Sequence, residues 1–265
     1  MKIDGNGVVI ITGGSRGIGR ACAIEFAQKG AKVVLGARDT LRMDQVSKEI
    51  KKLGGEAISV PCDVSHESDC QKLISETVRY FGKIDVLVNN AGFGHYASIE
   101  NLENQALDQI FRTNLWGAIW CAKAALPYMK KQKSGHIVNV STIISKRSMP
   151  YMTAYCMTKF AMNAFDEGLR LEVRPYGIGV SLVCPGLTNT EFQMNAGKSG
   201  VARPLLSKGG MSAEKVGRVI LRAVERNKRR VALTLSGKFL LAVQRISPAF
   251  VDEILYFYFS KFRTT

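Results

Sequence analysis

The chain has 265 residues, 46% hydrophobic and 22% charged, which excludes wholesale disorder and suits a single core of ordinary globular size. Lys and Arg number 37 against 22 Asp and Glu, a formal charge of +15 that asks for an anionic partner: nucleotide, nucleic acid, membrane surface or acidic protein. The excess is uneven, because residues 205–265 hold 12 Lys/Arg and only 4 Asp/Glu.

Short apolar runs alternate with helix-length amphipathic segments. The runs are Val8–Ile11, Lys32–Leu35, Ala57–Val60, Val86–Val88, His136–Val140 and Gly179–Val183, with a last strand expected over Arg230–Leu235. Val and Ile on consecutive positions are how strands buried on both faces of a parallel sheet read. Between them, Ile18–Lys29, Leu41–Leu53, Ser65–Phe81 and Thr153–Val173 suit crossover helices. The expected fold is α/β: one doubly wound parallel sheet, a Rossmann fold with helices on both faces, over a single domain of residues 1–265. A lid is expected near 191–210 and an apolar, basic extension near 236–265. The start of the chain lacks the apolar stretch of a signal peptide, and no run approaches the roughly 18 residues of a membrane span. Six cysteines, at 22, 62, 70, 121, 156 and 184, include no Cys-x-x-Cys pair and no zinc-ligand spacing. No metal is expected, and a reducing, cytoplasmic setting is.

After the first strand comes Thr12-Gly13-Gly14-Ser15-Arg16-Gly17-Ile18-Gly19, then a helix. Glycines here let the backbone turn tightly and approach a ligand, so that the helix-start N–H groups can hold a pyrophosphate. The spacing T-G-x-x-x-G-x-G resembles that of the short-chain dehydrogenase/reductase family. Further motifs carry the resemblance over residues 6–190. They are Asp63-Val64 after the third strand, Asn89-Asn90-Ala91-Gly92 after the fourth, Asn114, Tyr155-x-x-x-Lys159, and Pro185-Gly186 after the sixth. The resemblance implies cofactor contacts from Gly13, Ser15, Arg16, Gly17, Ile18, Gly19, Asp63, Val64, Asn90, Ala91 and Gly92. It adds Tyr155, Lys159, Pro185, Gly186, Thr188 and Thr190, the last matching the family's contact to the nicotinamide carboxamide.

An acidic residue ending the second strand would hold the ribose hydroxyls of NAD and repel the 2′-phosphate of NADP. Here that position is Ala37, followed by Arg38, and Arg16 adds a second guanidinium suited to phosphate. NADP(H) is therefore the expected cofactor, with Asp39 the one neighbour that weakens the preference.

Tyr155 and Lys159 lie four apart on a helix and share a face. An ammonium beside the phenol is expected to lower its pKa and make it a working acid and base. The family's carbonyl-polarising serine, thirteen positions before the tyrosine, is Thr142 in this chain, and Ser141 precedes it. Adjacent strand side chains point to opposite faces, so only one of the two serves the site, and Thr142 is in register. Asn114 matches a helix asparagine that holds a water linking the lysine to solvent. By the same resemblance Phe93, Gly94, His95, Tyr96, Ser145, Tyr151 and 187–206 surround the substrate, with His95 a wall residue rather than a second proton carrier.

From Phe239 to Phe259 apolar residues recur near helical spacing. That end resembles reductases of hydroxysteroids, retinoids and other lipophilic ketones. It is read as a pocket cap or dimer contact before a peripheral membrane contact. The leading expectation is an oxidoreductase working between NADP(H) and a small-molecule carbonyl or alcohol, lipophilic in character, in a homodimer or homotetramer. Two alternatives stand beside it. One is a 3-oxoacyl-acyl-carrier-protein reductase greeting its acidic partner with Lys130, Lys131, Lys133, Arg170 and Arg174. The other is a catalytically weak NADP(H)-binding or membrane-interaction protein. No nucleic acid is expected, since no recognition motif accompanies the basic residues.

Overall fold

Branched aliphatic residues build the centre of the molecule. The strand β1 (Val8–Thr12) is buried at all five positions, as are β4 (Val86–Asn89) and β5 (Gly135–Val140) throughout. With β2 (Lys32–Ala37), β3 (Ala57–Pro61), β6 (Ile178–Cys184) and β7 (Arg230–Ala232) they form a seven-stranded sheet in the order β3-β2-β1-β4-β5-β6-β7. Every pairing is parallel. The computed structural model describes residues 3–192, 210–234, 239, 242–244 and 246–260.

Alternate strand residues feed two apolar layers. Val9, Ile11, Val33, Leu35, Val138 and Val140 pack with α1 (Gly17–Ala27), α2 (Thr40–Lys52) and α7 (Ala213–Glu225) on one face. Ile10, Val34, Leu87, Ile137 and Val180 pack with α3 (Glu67–Phe81), α5 (Gly117–Gln132) and α6 (Thr153–Val173) on the other. This is the doubly wound arrangement the strand pattern predicts. Two elements go beyond it: α4 (Asn104–Phe111), and a π-helical turn, Arg112–Trp116, joining α4 to α5.

Boundaries differ for local reasons. The third crossover helix starts at Glu67 rather than Ser65, because the Asp63 carboxylate takes both the N–H (3.0 Å) and the hydroxyl (2.8 Å) of Ser65. The first starts at Gly17, directly after the loop, and stops at Ala27 ahead of Gly30, whose φ of 85° no right-handed helix accommodates. The last strand ends at Ala232; Leu235 lies outside the described residues.

Beyond the sheet, α8 (Pro248–Ser260) buries Val251, Leu255 and Phe259, spaced i, i+4, i+8, against Met149, Tyr151 and Val243. Most of the expected lid, residues 193–209, lies outside the described residues. Among the described residues no helix is long and apolar enough to cross a membrane, and no cluster has the ligands of a metal ion.

Candidate active site

The strand order reverses between β1 and β4, which opens a crevice at their C-terminal ends. Thr12 closes its floor. Its Oγ1 accepts the N–H groups of Asn90 (3.0 Å) and Ala91 (3.1 Å), while Asn90 Nδ2 donates to Thr12 O at 3.0 Å. Two glycines allow the approach. Gly17 sits at φ 51°, and a Cβ on Gly19 would overlap the Gly13 carbonyl and lie 2.7 Å from Asn90 Nδ2. The α1 start behind them is capped by no side chain, so its first N–H groups face the crevice without a side-chain acceptor. Ser15 is buried in the loop, and Ile18 packs into the core beneath it.

At the far end of the crevice, Arg38 follows Ala37 and pairs with Asp63 at 3.6 Å. Burial works against the Asp63 charge, but the Ser65 N–H and hydroxyl together with Arg38 outweigh it and hold the carboxyl below its usual range. Val64 is buried beside Gly117. Asp39 turns to α2: it accepts the Arg42 N–H at 3.1 Å as an N-cap and pairs with the Arg42 side chain at 3.4 Å. That engagement removes most of its opposition to a phosphate near Arg38. Arg42 and Glu191 are two residues the sequence reading missed: Glu191 Oε2 lies 2.7 Å from Arg42 and 3.3 Å from Arg16. Arg42 lies in the first turn of α2, only four residues after Arg38 in sequence. Pairs separated by 149 and 175 residues leave no trace in sequence.

The segment after β6 lies over the glycine loop. The backbones of Ile143 and Pro185 are joined at 2.9 Å, Thr188 donates to Gly186 O at 3.0 Å, and Thr190 stands 3.2 Å from the position of a Cβ on Gly17. Thus Pro185, Gly186, Thr188 and Thr190 border the crevice, as does Gly92, packed 3.0 Å (built Cβ) from Asn114 Oδ1.

Tyr155 and Lys159 project from successive turns of α6 and are 6% and 5% exposed. Lys159 Nζ donates to Val140 O at 2.9 Å and lies 5.8 Å from the Tyr155 ring centroid. Burial pushes the lysine down to about 8, against a smaller opposite pull from Cys184. Burial also pushes the Tyr155 phenol up, while the Thr142 hydroxyl acts in the opposite direction. The expectation that the ammonium would depress the phenol is thus reversed in the free protein, where desolvation dominates.

Thr142 ends β5 in extended conformation (φ −155°, ψ 161°). Its neighbour Ser141 points elsewhere, donating to Asn163 Oδ1 at 3.3 Å. Asn163, a third residue missed by the sequence reading, is one turn beyond Lys159 on α6. Its Nδ2 donates to Ser145 O (2.8 Å) and Oγ (3.1 Å), so it grips both flanks of Thr142. Asn114 lies in the π-helical turn. Its amide exchanges hydrogen bonds with the Phe93 main chain, both at 2.9 Å, and reaches Thr158 Oγ1 at 3.4 Å. Around Tyr155 the wall is apolar: Tyr96 and Met152 are buried, with Phe93, Ile144, Met149 and Phe192 against them. The Phe192 ring meets Tyr155 edge-on at 5.7 Å. His95 is half-buried.

A nucleotide crevice running into a buried Thr-Tyr-Lys corner is what a hydride-transferring enzyme requires. Residues 7–199 match the short chain dehydrogenase family. The chain belongs to that family. It is an oxidoreductase of the short-chain dehydrogenase/reductase class, acting on CH–OH or C=O groups. It is 33% identical over 254 residues to 11-beta-hydroxysteroid dehydrogenase-like 2 of Arabidopsis thaliana, covering 95% of this chain and 81% of the relative. It is 34% identical to dehydrogenase/reductase SDR family member 7B of Bos taurus, over 86% of this chain and 73% of that one. Among solved structures, the alcohol dehydrogenase of Thermococcus sibiricus complexed with 5-hydroxy-NADP superposes with a TM-score of 0.76. It is 27% identical, covering 86% of this chain and 95% of its own. A metagenomic short-chain oxidoreductase in complex with NADP gives a TM-score of 0.75 at 29% identity, over 89% of this chain and all of that one.

Proposed function

We propose that this dehydrogenase/reductase moves a hydride between NADP(H) and the carbonyl or alcohol carbon of a lipophilic small molecule, with Tyr155 as the proton donor and acceptor. The observation that carries the reading is the pairing of Tyr155 and Lys159 on successive turns of α6, both nearly out of solvent, with Lys159 Nζ 5.8 Å from the Tyr155 ring centroid in an apolar wall at the mouth of the crevice.

The residues fit the cofactor. The α1 start without a side-chain cap suits the pyrophosphate. Arg16, Arg38 and Arg42 give three guanidinium groups, and Ala37 no carboxylate, where a 2′-phosphate belongs. The two NADP-type complexes among the structural neighbours agree with this assignment. Gly13, Ser15, Gly17, Ile18, Gly19, Asp63, Val64, Asn90, Ala91 and Gly92 would line the rest, with Pro185, Gly186, Thr188 and Thr190 towards the nicotinamide.

Bound nicotinamide supplies the hydride during reduction and accepts it during oxidation. In reduction, Thr142 and Tyr155 both donate to the carbonyl oxygen, and the phenol proton passes to it as charge develops there. Burial keeps the phenol protonated in the free protein, the form that donates in reduction. Lys159, held at Val140 O and pushed down to about 8, is well placed to pass a proton on near neutral pH. Asn114 fixes the Phe93 segment and α6 around that corner.

Phe93, Tyr96, Met149, Met152 and Phe192 support a lipophilic substrate, since they offer it apolar surface and few polar groups. The α8 helix closes that side through Tyr151 and Met149, which favours its role as a cap. Exposed Trp116, Met157 and Phe160 near the start of α6 support a homodimer or homotetramer. Six free and buried cysteines support a reducing, cytoplasmic setting. The test is turnover of a panel of apolar ketones with NADPH. Tyr155→Phe should lower kcat by about 10²–10⁴-fold while NADPH affinity holds. Wild-type turnover by that variant would overturn the reading.

A further inference from the structure

A parallel sheet puts its reaction site at one edge and the starts of its strands at the other. At that second edge, three loops enter the neighbouring strands β5, β6 and β7: residues 130–134, 174–177 and 226–229. They touch one another. A Cβ built on Gly177 would lie 2.8 Å from Lys133 O, and one on Gly179 would lie 2.7 Å from Asn227 Oδ1. Ser181 donates to Lys228 O at 2.6 Å, and the Leu182 N–H to Arg229 O at 3.0 Å.

The first two loops contribute Lys130, Lys131, Lys133 and Arg174, and the third contributes Arg226, Lys228 and Arg229; all are exposed. The three loops contain no Asp or Glu. Among the described residues none of these seven cations is held in an ion pair. Elsewhere on the same edge cations are offset by carboxylates: Lys32 meets Glu56 at 3.5 Å and Lys83 meets Asp85 at 2.9 Å. Helix ends account for part of the pattern, since Lys130, Lys131, Arg174 and Arg226 favour the C-terminal dipoles of α5, α6 and α7. Lys133 is itself the C-cap of α5 and shares that explanation, whereas Lys228 and Arg229 lie two and three residues past Arg226, the C-cap of α7. Apolar surface is interleaved with the charge: Leu171 is 68% and Tyr176 39% exposed, with Lys130 Nζ 4.5 Å from the Tyr176 ring centroid.

We propose that this end of the molecule docks on a bilayer surface rich in anionic lipid. The cations come from three separate segments that feed the neighbouring strands β5, β6 and β7, so they are spread along the sheet edge rather than gathered on one element, and an extended anionic surface can meet them together. Cations with exposed Tyr and Leu are what the headgroup region accepts. A single-stranded nucleic acid would need several aromatic rings on which successive bases stack, and Tyr176 is the one aromatic residue in these three segments. Thr142 lies at the opposite end of β5, about 20 Å away at the usual rise per residue, so the docked enzyme keeps its pocket open. The inference stands apart from the reading of the reaction, because no residue of the crevice takes part in it.

Sedimentation of the full chain with vesicles tests it. Phosphatidylcholine vesicles containing 30% phosphatidylserine should retain the protein at 50 mM salt and release it at 500 mM, and pure phosphatidylcholine should not bind it. Each cation near such a surface contributes about fivefold, so Lys133→Asn, Lys228→Gln and Arg229→Gln together should weaken retention on the order of 100-fold. Removing three exposed cations from other faces, Lys48→Gln, Lys72→Gln and Lys215→Gln, should change it by no more than about tenfold. Unchanged circular dichroism and melting temperature show that both triple variants fold. Failure of the wild-type chain to bind the anionic vesicles overturns the proposal and leaves an acidic protein as the partner class. Equal loss in the two triple variants overturns it as well, since net charge alone would then explain the binding.

Discussion

Thr142→Val removes one hydroxyl and keeps both branches of the side chain, which isolates the group that departs from the family's serine. Two losses are expected. Tyr155 loses the hydroxyl partner that opposes the rise of its pKa, and the substrate oxygen loses one of its two donors. No other hydroxyl replaces it: Ser141 points to Asn163 at 3.3 Å, and the Ile143 and Ser141 N–H groups are tied to Pro185 O and Val183 O, which resists a shift of register. Removing one preorganised donor to an oxygen that gains charge costs about 10²–10³-fold in kcat, or about 2.7–4 kcal/mol. Steady-state reduction of a ketone by Thr142→Val should show that loss with NADPH affinity unchanged, whereas Thr142→Ser should remain within about tenfold of wild type. The alcohol-oxidation profile of the Val variant should move to higher pH, because the phenolate becomes harder to form. Ser141→Ala is the control. Equal losses in Ser141→Ala and Thr142→Val, or a Val variant with wild-type kcat, would refute the assignment.

The guanidinium groups at the crevice should set cofactor choice: Arg16→Ala and Arg38→Ala should each weaken NADPH about tenfold and leave NADH unchanged, as read by quenching of protein fluorescence. Equal weakening of both cofactors would place the arginines elsewhere. His136 makes stability acid-sensitive. Buried and 2.8 Å from Ser181 Oγ, it is pushed down from 6.5 to about 4, first by desolvation. Its folded pKa lies below the unfolded value, so its contribution is complete above pH 6.5 and is lost as pH falls towards 4. The loss reaches about 3 kcal/mol, since the unfolded chain takes a proton that the fold refuses. Urea unfolding at pH 7 and 4.5 should show this slope in the wild-type chain and a shallower one in His136→Gln; equal slopes would assign the acid sensitivity to another group.

Features carried by spacing along one element were legible before any coordinates. The glycine loop ahead of a helix, the Tyr155–Lys159 face and the parallel sheet all follow from periods of 3.6 and 2. Strand alternation lets only one of the two adjacent hydroxyls face the site, and the choice of Thr142 over Ser141 came from the family's thirteen-residue spacing to the tyrosine. Contacts across the fold were not readable. Glu191 meets Arg16 and Arg42 only because the chain returns over the glycine loop after β6, and Asn163 meets Ser141 only because α6 lies along the end of β5. Burial was equally hidden. The charge on Lys159 was expected to depress the phenol, yet both groups are nearly out of solvent, and desolvation moves each towards its neutral form.

Charge shows the same limit most clearly. Counted along the chain, the basic excess gathers in residues 205–265 and reads as a property of an apolar, basic tail. In the fold, Arg226, Lys228 and Arg229 precede β7 and stand beside Lys133 and Arg174, which are 96 and 55 residues away from Arg229 in sequence. The α8 helix, meanwhile, carries two acidic residues and no basic one, and spends its apolar face on Met149 and Tyr151. Among the described residues, the cations of 226–229 and the apolar face of α8 therefore serve different edges of the sheet, while Lys238, Arg245, Lys261 and Arg263 lie outside the described residues. The guanidinium groups of Arg16, Arg38 and Arg42 lie with the catalytic edge and suit a single phosphate, whereas the seven cations without an ion pair among the described residues lie opposite and suit an extended anionic surface. Neutralising one set should leave the other's ligand unaffected.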